Sequence, residues 1–374
     1  MEYLVGLYYA DADTDRSFSR TMPLTADWKA SASTESIAAF GQLTWMLSEQ
    51  THLTVGGRYN DEEITVDFDD LTAGDNFSES DSEDEWLGKI SIQHFMAENT
   101  MLFASFSTGY KGQAYDISTG FNQDKADNPV GSESSDSYEV GVKTTLLDQR
   151  LQLNAVAFYT EYDDYQAQNT ELNNGELKLA ITNVGSLETK GVEIDTIALL
   201  GDYVTLNASI AWIDATVDDY PGAACYRGQT EAQGCVEITP GSGAFVQDLS
   251  GQDLNNSPDW KVNLGGRVDI PLNSMPFDGF LNFTYNWQDE VNFDLLGSPD
   301  TVQDSYGIFN MSAGILERDA GRYRVEVFVN NVFDEDYAAA LADLGGLYGG
   351  ADAIIQLLPR NAERYGGVRM KYSF

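Results

Sequence analysis

The feature that most limits what this chain can fold into is an alternation of apolar and polar residues with a period of two, repeated along most of its length. From Val204 to Trp212, the residues Val204, Leu206, Ala208, Ile210 and Trp212 share one face, and Thr205, Asn207, Ser209 and Ala211 share the other. Val262, Leu264, Val268 and Ile270 oppose Asn263, Arg267 and Asp269. Leu281, Phe283, Tyr285 and Trp287 oppose Asn282, Thr284 and Asn286, while Tyr323, Val325, Val327 and Val329 oppose Arg324 and Glu326. Successive side chains of a strand point to opposite faces, so each run reads as a strand with one apolar face.

Fourteen strands are expected, near residues 2–12, 35–46, 51–61, 86–95, 100–110, 136–146, 150–162, 176–198, 202–215, 260–270, 279–290, 305–316, 322–331 and 364–374. The connections between them sort by length. Those at 13–34, 62–85, 111–135, 163–175, 216–259, 291–304 and 332–363 are long. Those around Ser48-Glu49-Gln50, Ala97-Glu98-Asn99, Leu147-Asp148-Gln149, Gly201, Asn273 to Asp278 and Arg318 to Gly321 are short. A soluble sandwich also alternates, with its apolar face inward, but it has no reason to sort its loops. Long and short connections in strict alternation predict an all-β chain folded as an antiparallel up-and-down transmembrane β-barrel, with turns on one side of the membrane and loops on the other.

The energetics agree. In hydrocarbon every backbone N–H and C=O must be paired, so a sheet has to close. The apolar face then meets lipid and the polar face lines a lumen. A crossing needs about 9–11 residues per strand. No apolar run reaches the roughly 18 residues of a transmembrane helix. The 374 residues carry 21 Lys+Arg against 60 Asp+Glu, a net charge of −39, which excludes phosphate-backbone recognition and so a nucleic-acid partner. Such acidity raises the question of disorder, and 20 Tyr, 18 Phe and 6 Trp argue against it. Tyr59, Trp86, Trp212 and Trp287 near strand ends fit aromatic girdles, or simple cross-strand contacts. The first residues, MEYLVGLYYADAD, lack the basic and long apolar regions of a signal peptide.

Cys225 and Cys235, with nine mostly polar residues between them and no His nearby, predict a disulfide closing a surface loop in an oxidising compartment. His52 and His94 belong to no catalytic or metal-ligating constellation. No nucleophile elbow, phosphate loop or dinucleotide fingerprint occurs, so no enzyme, cofactor or metal is expected. The Gly-rich GGLYGG at 345–350 reads as loop flexibility. From Asp61 to Glu85 there are twelve acidic residues and no basic one. Asp11, Asp13 and Asp15 resemble the start of a calcium loop, but no Gly or closing Glu follows. Both stretches read as solvated surface, with bridging by divalent cations as the alternative.

Five segments resemble the C-terminal barrel of TonB-dependent transporters: STGYKGQAYD at 107–116, SYEVGVKTTLLDQRLQLNAVAFYTEYDDYQ at 137–166, NVGSLETKGVEID at 183–195, NNVFDEDY at 330–337 and PRNAERYGGVRMKYSF at 359–374. Their order and spacing match the family over most of 100–374. The resemblance implies a bacterial outer-membrane receptor that actively imports a scarce nutrient such as a ferric siderophore, and that catalyses no reaction. Met370, Tyr372 and Phe374 resemble the signal read by the barrel-assembly machinery. The implied partners are outer-membrane lipid, a small-molecule or metal-chelate ligand, and the TonB energy complex acting through a plug. Tyr110, Tyr115, Phe121, Tyr162 and Tyr165 in the loops are candidate ligand contacts, with loop packing as the alternative for each.

The sequence also departs from the family, whose barrels have 22 strands and a plugged lumen. Here about fourteen strands are legible, with neither plug nor energy-coupling box. Residues 1–374 are therefore expected to be an outer-membrane β-barrel domain that is part of a larger barrel, lacking the plug and the first strands. The alternative is a passive, porin-like channel of fourteen strands.

Overall fold

The computed structural model describes residues 1–22, 25–173, 176–319, 321–345, 353–360 and 362–374, with side chains described outside 168–180. Fourteen strands form one antiparallel sheet in chain order. They are β1 (Glu2–Arg20), β2 (Ala26–Met46), β3 (Thr51–Asp70), β4 (Asp75–Ala97), β5 (Thr100–Lys111), β6 (Glu133–Leu146), β7 (Leu151–Asn173), β8 (Glu176–Leu200), β9 (Val204–Asp219), β10 (Trp260–Pro271), β11 (Phe277–Gln288), β12 (Tyr306–Glu317), β13 (Tyr323–Asn330) and β14 (Tyr365–Tyr372). Each strand pairs with its neighbours in sequence, which is the expected meander. No pairing between β1 and β14 occurs among the described residues, so each keeps one open edge.

The register turns the alternation into two continuous faces. One row runs Leu43, Val55, Ile90, Phe106 and Tyr138. Another runs Ala155, Ile194, Ile210, Val262 and Trp287. A third runs Ile315, Val325 and Met370. These side chains have no protein interior to enter: Leu7 is 87% exposed on the same face and Met370 is 76% exposed. An uninterrupted apolar belt of this extent is a lipid-facing surface. Val204, Leu206, Ile210 and Trp212 lie on it, with Thr205, Asn207 and Ser209 on the opposite face, as the sequence predicts. Ring pairs cap the belt on the loop side, Tyr59 with Trp86 at 4.9 Å and Trp212 with Trp260 at 6.4 Å.

The opposite face is polar and lines the lumen. Its rows include Glu193, Ala211, Lys261 and Gln288, and below them Asn207, Gly265, Thr284 and Asn310. Charge buried on this wall is paired. Glu326, only 5% exposed, lies 3.1 Å from Arg324 and 3.6 Å from Arg369.

The short turns stand where expected, but three of the seven long connections are not loops. The β1–β2 ladder continues to Arg20 opposite Ala26, the β3–β4 ladder to Asp70 opposite Asp75, and the β7–β8 ladder to Asn173 opposite Glu176. Residues 13–34, 62–85 and 163–175 therefore lie mostly in strands that project beyond the membrane, and Asp11, Asp13 and Asp15 lie in β1. Above the hydrocarbon, water solvates both the outer face and the edges, so a strand no longer needs an apolar outer face. Asp61, Glu63, Asp67 and Asp69 occupy the solvated outer face, whereas Glu62 and Glu83 turn to the lumenal side. The described residues of segments 112–132, 220–259, 289–305 and 331–364 are irregular apart from short pieces, among them helix α1 (Gln123–Asp127). Gly345 is described, whereas the rest of the Gly-rich 345–350 stretch lies outside the described residues.

Candidate functional site at the mouth of the lumen

Segment 112–132 is a strap between the projecting hairpins. Its ends are tied by a two-way bridge between Ala114 and Val130. One side packs on the lumenal face of β2 and β3, where Phe121 is buried with Trp28, Ala30, Val66, Phe68 and Ala126. Phe121 stacks on Phe68 at 4.8 Å, Trp28 Nε1 donates to Thr119 Oγ1 at 3.2 Å, and Arg16 donates to the Ile117 carbonyl at 3.0 Å. The other side is held by β7 and β8. Gln166 Nε2 donates to the carbonyls of Gly112 and Gly131, both at 2.8 Å. Asn183 accepts from the Gly131 N–H at 2.7 Å and donates to its carbonyl at 2.9 Å. A buried loop needs its backbone groups satisfied, and these two amides do so.

Beneath the strap, Glu62 and Glu83 face each other across the β3–β4 ladder. Ser132 donates to one Glu83 oxygen at 2.7 Å. The Glu62 carboxylate reaches up to the strap at Gly112, where a Cβ would push it aside. Burial, reinforced by Glu83, holds the Glu62 carboxyl above its ordinary range. Burial, then Glu62, Glu83 and Glu85, push the Tyr110 phenol well above its usual value, leaving it neutral.

A second cluster joins Ala167, Val184, Leu187 and Val217 to Ala223, Leu249, Leu295 and Leu296 from the neighbouring loops. Tyr162 and Tyr165 pack on it and meet edge to face at 6.2 Å. Cys225 and Cys235 are disulfide-bonded with Cα atoms 5.7 Å apart, as the spacing predicts. Gln247, buried beside them, donates to the carbonyls of Ala224 at 2.8 Å and Leu296 at 2.9 Å.

Below the loops, the lumenal wall holds an open cavity of about 420 Å³ lined by Lys261, Asn263, Asn286, Gln288, Tyr306, Asn330 and their neighbours. Sequence reading did not single these residues out. The signal was the polar half of an alternation already identified, with Lys261 and Asn263 on one strand and Asn286 and Gln288 on the next.

The five aromatic candidates separate. Tyr115 and Phe121 share the first cluster and Tyr162 and Tyr165 the second, while Tyr110 stands over the carboxylates. Phe121 is 3% exposed and serves packing; the four tyrosines keep partial exposure. Met370 and Tyr372 lie on the lipid-facing side of β14, and Tyr372 contacts Phe374 edge to face at 4.9 Å. No group of three or more metal-ligating side chains occurs among the described residues.

A family model described as TonB dependent receptor-like, beta-barrel, matches residues 2–332. The pesticin receptors of Yersinia pestis and Yersinia enterocolitica are each 24% identical over 200 residues, 52% of this chain and 28% of theirs. Among solved structures, the ferric yersiniabactin uptake receptor FyuA from Yersinia pestis superposes with a TM-score of 0.78 at 18% identity, over 100% of this chain and 51% of that one. The siderophore receptor PiuA from Acinetobacter baumannii gives 0.71 at 15% identity, over 99% and 52%. The chain thus spans about half the length of these structures, and its match covers 28% of the curated relatives.

Proposed function

Since this chain belongs to the TonB-dependent receptor β-barrel family, a family of outer-membrane transport receptors rather than enzymes, we propose that it is part of an energised importer for a scarce nutrient carried as a small metal chelate, such as a ferric siderophore. The observation that carries this reading is a lipid-facing sheet whose opposite face is a continuous polar wall beneath folded loops. Such a wall receives a solute and has no group placed for chemistry on it. The siderophores named for FyuA and PiuA support the ligand class. Tyr110, Tyr115, Tyr162 and Tyr165 border the route as ligand contacts.

The same reading makes residues 1–374 one portion of a larger barrel, with further strands on the open edges of β1 and β14 and a plug in the lumen that contacts the energy complex. The unpaired edges and the roughly twofold greater length of the solved relatives support it. The exposed row Met370, Tyr372 and Phe374 would be read by the assembly machinery. Growth of an iron-starved strain with and without the gene, supplied with single ferric chelates, tests the function. Rescue by at least one chelate is expected, and growth indifferent to the gene on every chelate contradicts it.

A further inference from the structure

We propose that the strap is an acid-closed latch, set by one proton shared between Glu62 and Glu83. The strap runs from the β2–β3 wall, where Phe121 is buried against Trp28 and Phe68, to the β7–β8 wall, where Gln166 and Asn183 hold Gly112 and Gly131. Both of its roots come down on the carboxylate pair. The Glu62 carboxylate reaches Gly112 at one root, and Ser132 at the other donates to Glu83 at 2.7 Å.

No described residue neutralises this pair. Glu62 and Glu83 are cross-strand partners on the lumenal face, and like charges directly opposite each other destabilise a ladder. Asp81 and Glu85 flank Glu83 on that face, so β4 adds only negative charge. On β2, Ser36 stands opposite Glu62, but its hydroxyl donates to Asn60 at 3.2 Å. On β3, Arg58 donates to Asn60 at 2.9 Å and lies over the Tyr8 ring. Lys111, beside the strap, pairs with Glu133 of β6 at 3.6 Å. From β5, the Tyr110 phenol faces the carboxylates. Its oxygen is buried without a hydrogen-bond partner, and so is one oxygen of Glu83. Atoms of this chain alone bury both. One proton answers the repulsion and the missing bond together. Side chains opposite each other on a ladder have Cβ atoms about 4.5–5.5 Å apart, so a protonated Glu62 can donate to the unpaired Glu83 oxygen. When the proton leaves, the two carboxylates repel beneath both roots of the strap. Burial and Glu83 hold the Glu62 carboxyl above its ordinary range, so the latch is closed in acid and released as pH rises.

The test places one thiol in the strap or under it. Ala126→Cys lies in α1, where the side chain is 1% exposed, and Ala30→Cys lies beneath the strap on β2. Cys225 and Cys235 are bonded to each other, so the new thiol is the only free one. Whole receptor in outer-membrane preparations, without added divalent cations, is treated with dithiodipyridine. Thiol reactivity itself changes with pH. Each rate is therefore divided by that of the same reporter carrying Glu62→Gln, whose amide donates to Glu83 at every pH. The ratio should be about one at about pH 4 and about ten at about pH 8. Glu63→Gln, on the outer face of the same strand, should leave that rise intact. Heat-modifiable gel migration confirms that each variant is folded. A ratio that is the same at both pH values, or larger at the lower one, overturns the latch. So does loss of the rise in Glu63→Gln. No chelate enters the measurement, so failure of the latch leaves the importer reading to the growth assay.

Discussion

Glu62 and Glu83 stand directly opposite each other on the lumenal side of the β3–β4 ladder, beneath the strap, and no described cation forms an ion pair with either. The groups facing Glu62 are Glu83 on β4, Ser36 on β2 and the Tyr110 phenol, together with the backbone at Gly112. The folded-state pKa of Glu62 is raised by burial and by Glu83. Its contribution to strap docking is therefore fully present below the ordinary carboxylate pKa and is lost as pH rises through the raised value. Hydrogen exchange across 112–132 should show more protection at about pH 4 than at about pH 8, and Glu62→Gln should flatten the difference. Protection that is equal at both, or greater at the higher pH, contradicts this.

Gln166 carries both ends of the strap on one nitrogen. Gln166→Leu leaves the Gly112 and Gly131 carbonyls without that donor, costing roughly 1–3 kcal/mol of local stability. Proteolysis within 112–132 should rise while the heat-modifiable migration of the barrel stays unchanged. Unaltered cleavage rates would show that Asn183 alone holds the strap.

The Cys225–Cys235 bridge closes a short loop with a sequence separation of 10. The chain-entropy model gives such a crosslink roughly 3 kcal/mol. Because the loop stands above the sheet, reduction should loosen 220–259 and leave the membrane span intact. Exchange protection lost in β9 and β10 as well would mean that the loop supports the wall.

Leu264 sits in the middle of the apolar belt, opposite Ala208 and Tyr285. Leu264→Arg should cost about 2–4 kcal/mol in a folding titration in lipid. Asn207→Arg, on the lumenal face of β9, should cost far less. Equal costs would mean that the two faces have been exchanged.

The membrane-spanning part was legible because lipid enforces a rule on each residue: Val204, Leu206 and Ile210 out, Thr205, Asn207 and Ser209 in. The six short turns followed from the same rule. The projecting hairpins obey it only on their inner face, where Ile64, Val66 and Phe68 are buried by the strap. That period-two run was present in the sequence but was masked by Asp67, Asp69 and Asp70. The cysteine pairing was local and therefore readable. The contact of Gln166 with Gly112 and Gly131 spans 54 and 35 residues and leaves no periodic trace. Aromatic residues drew attention as ligand contacts, but Phe121 is committed to packing.

The central claim is energised import, and the measurement that bears on it most directly is radioiron accumulation by iron-starved cells expressing the receptor, with the inner-membrane energy complex intact or deleted. Iron is supplied as the chelate that supports growth. The account predicts saturable accumulation with the complex intact and background accumulation without it. Accumulation that persists at the same rate after deletion, rising linearly with chelate concentration, would mean a passive pore and would contradict the account.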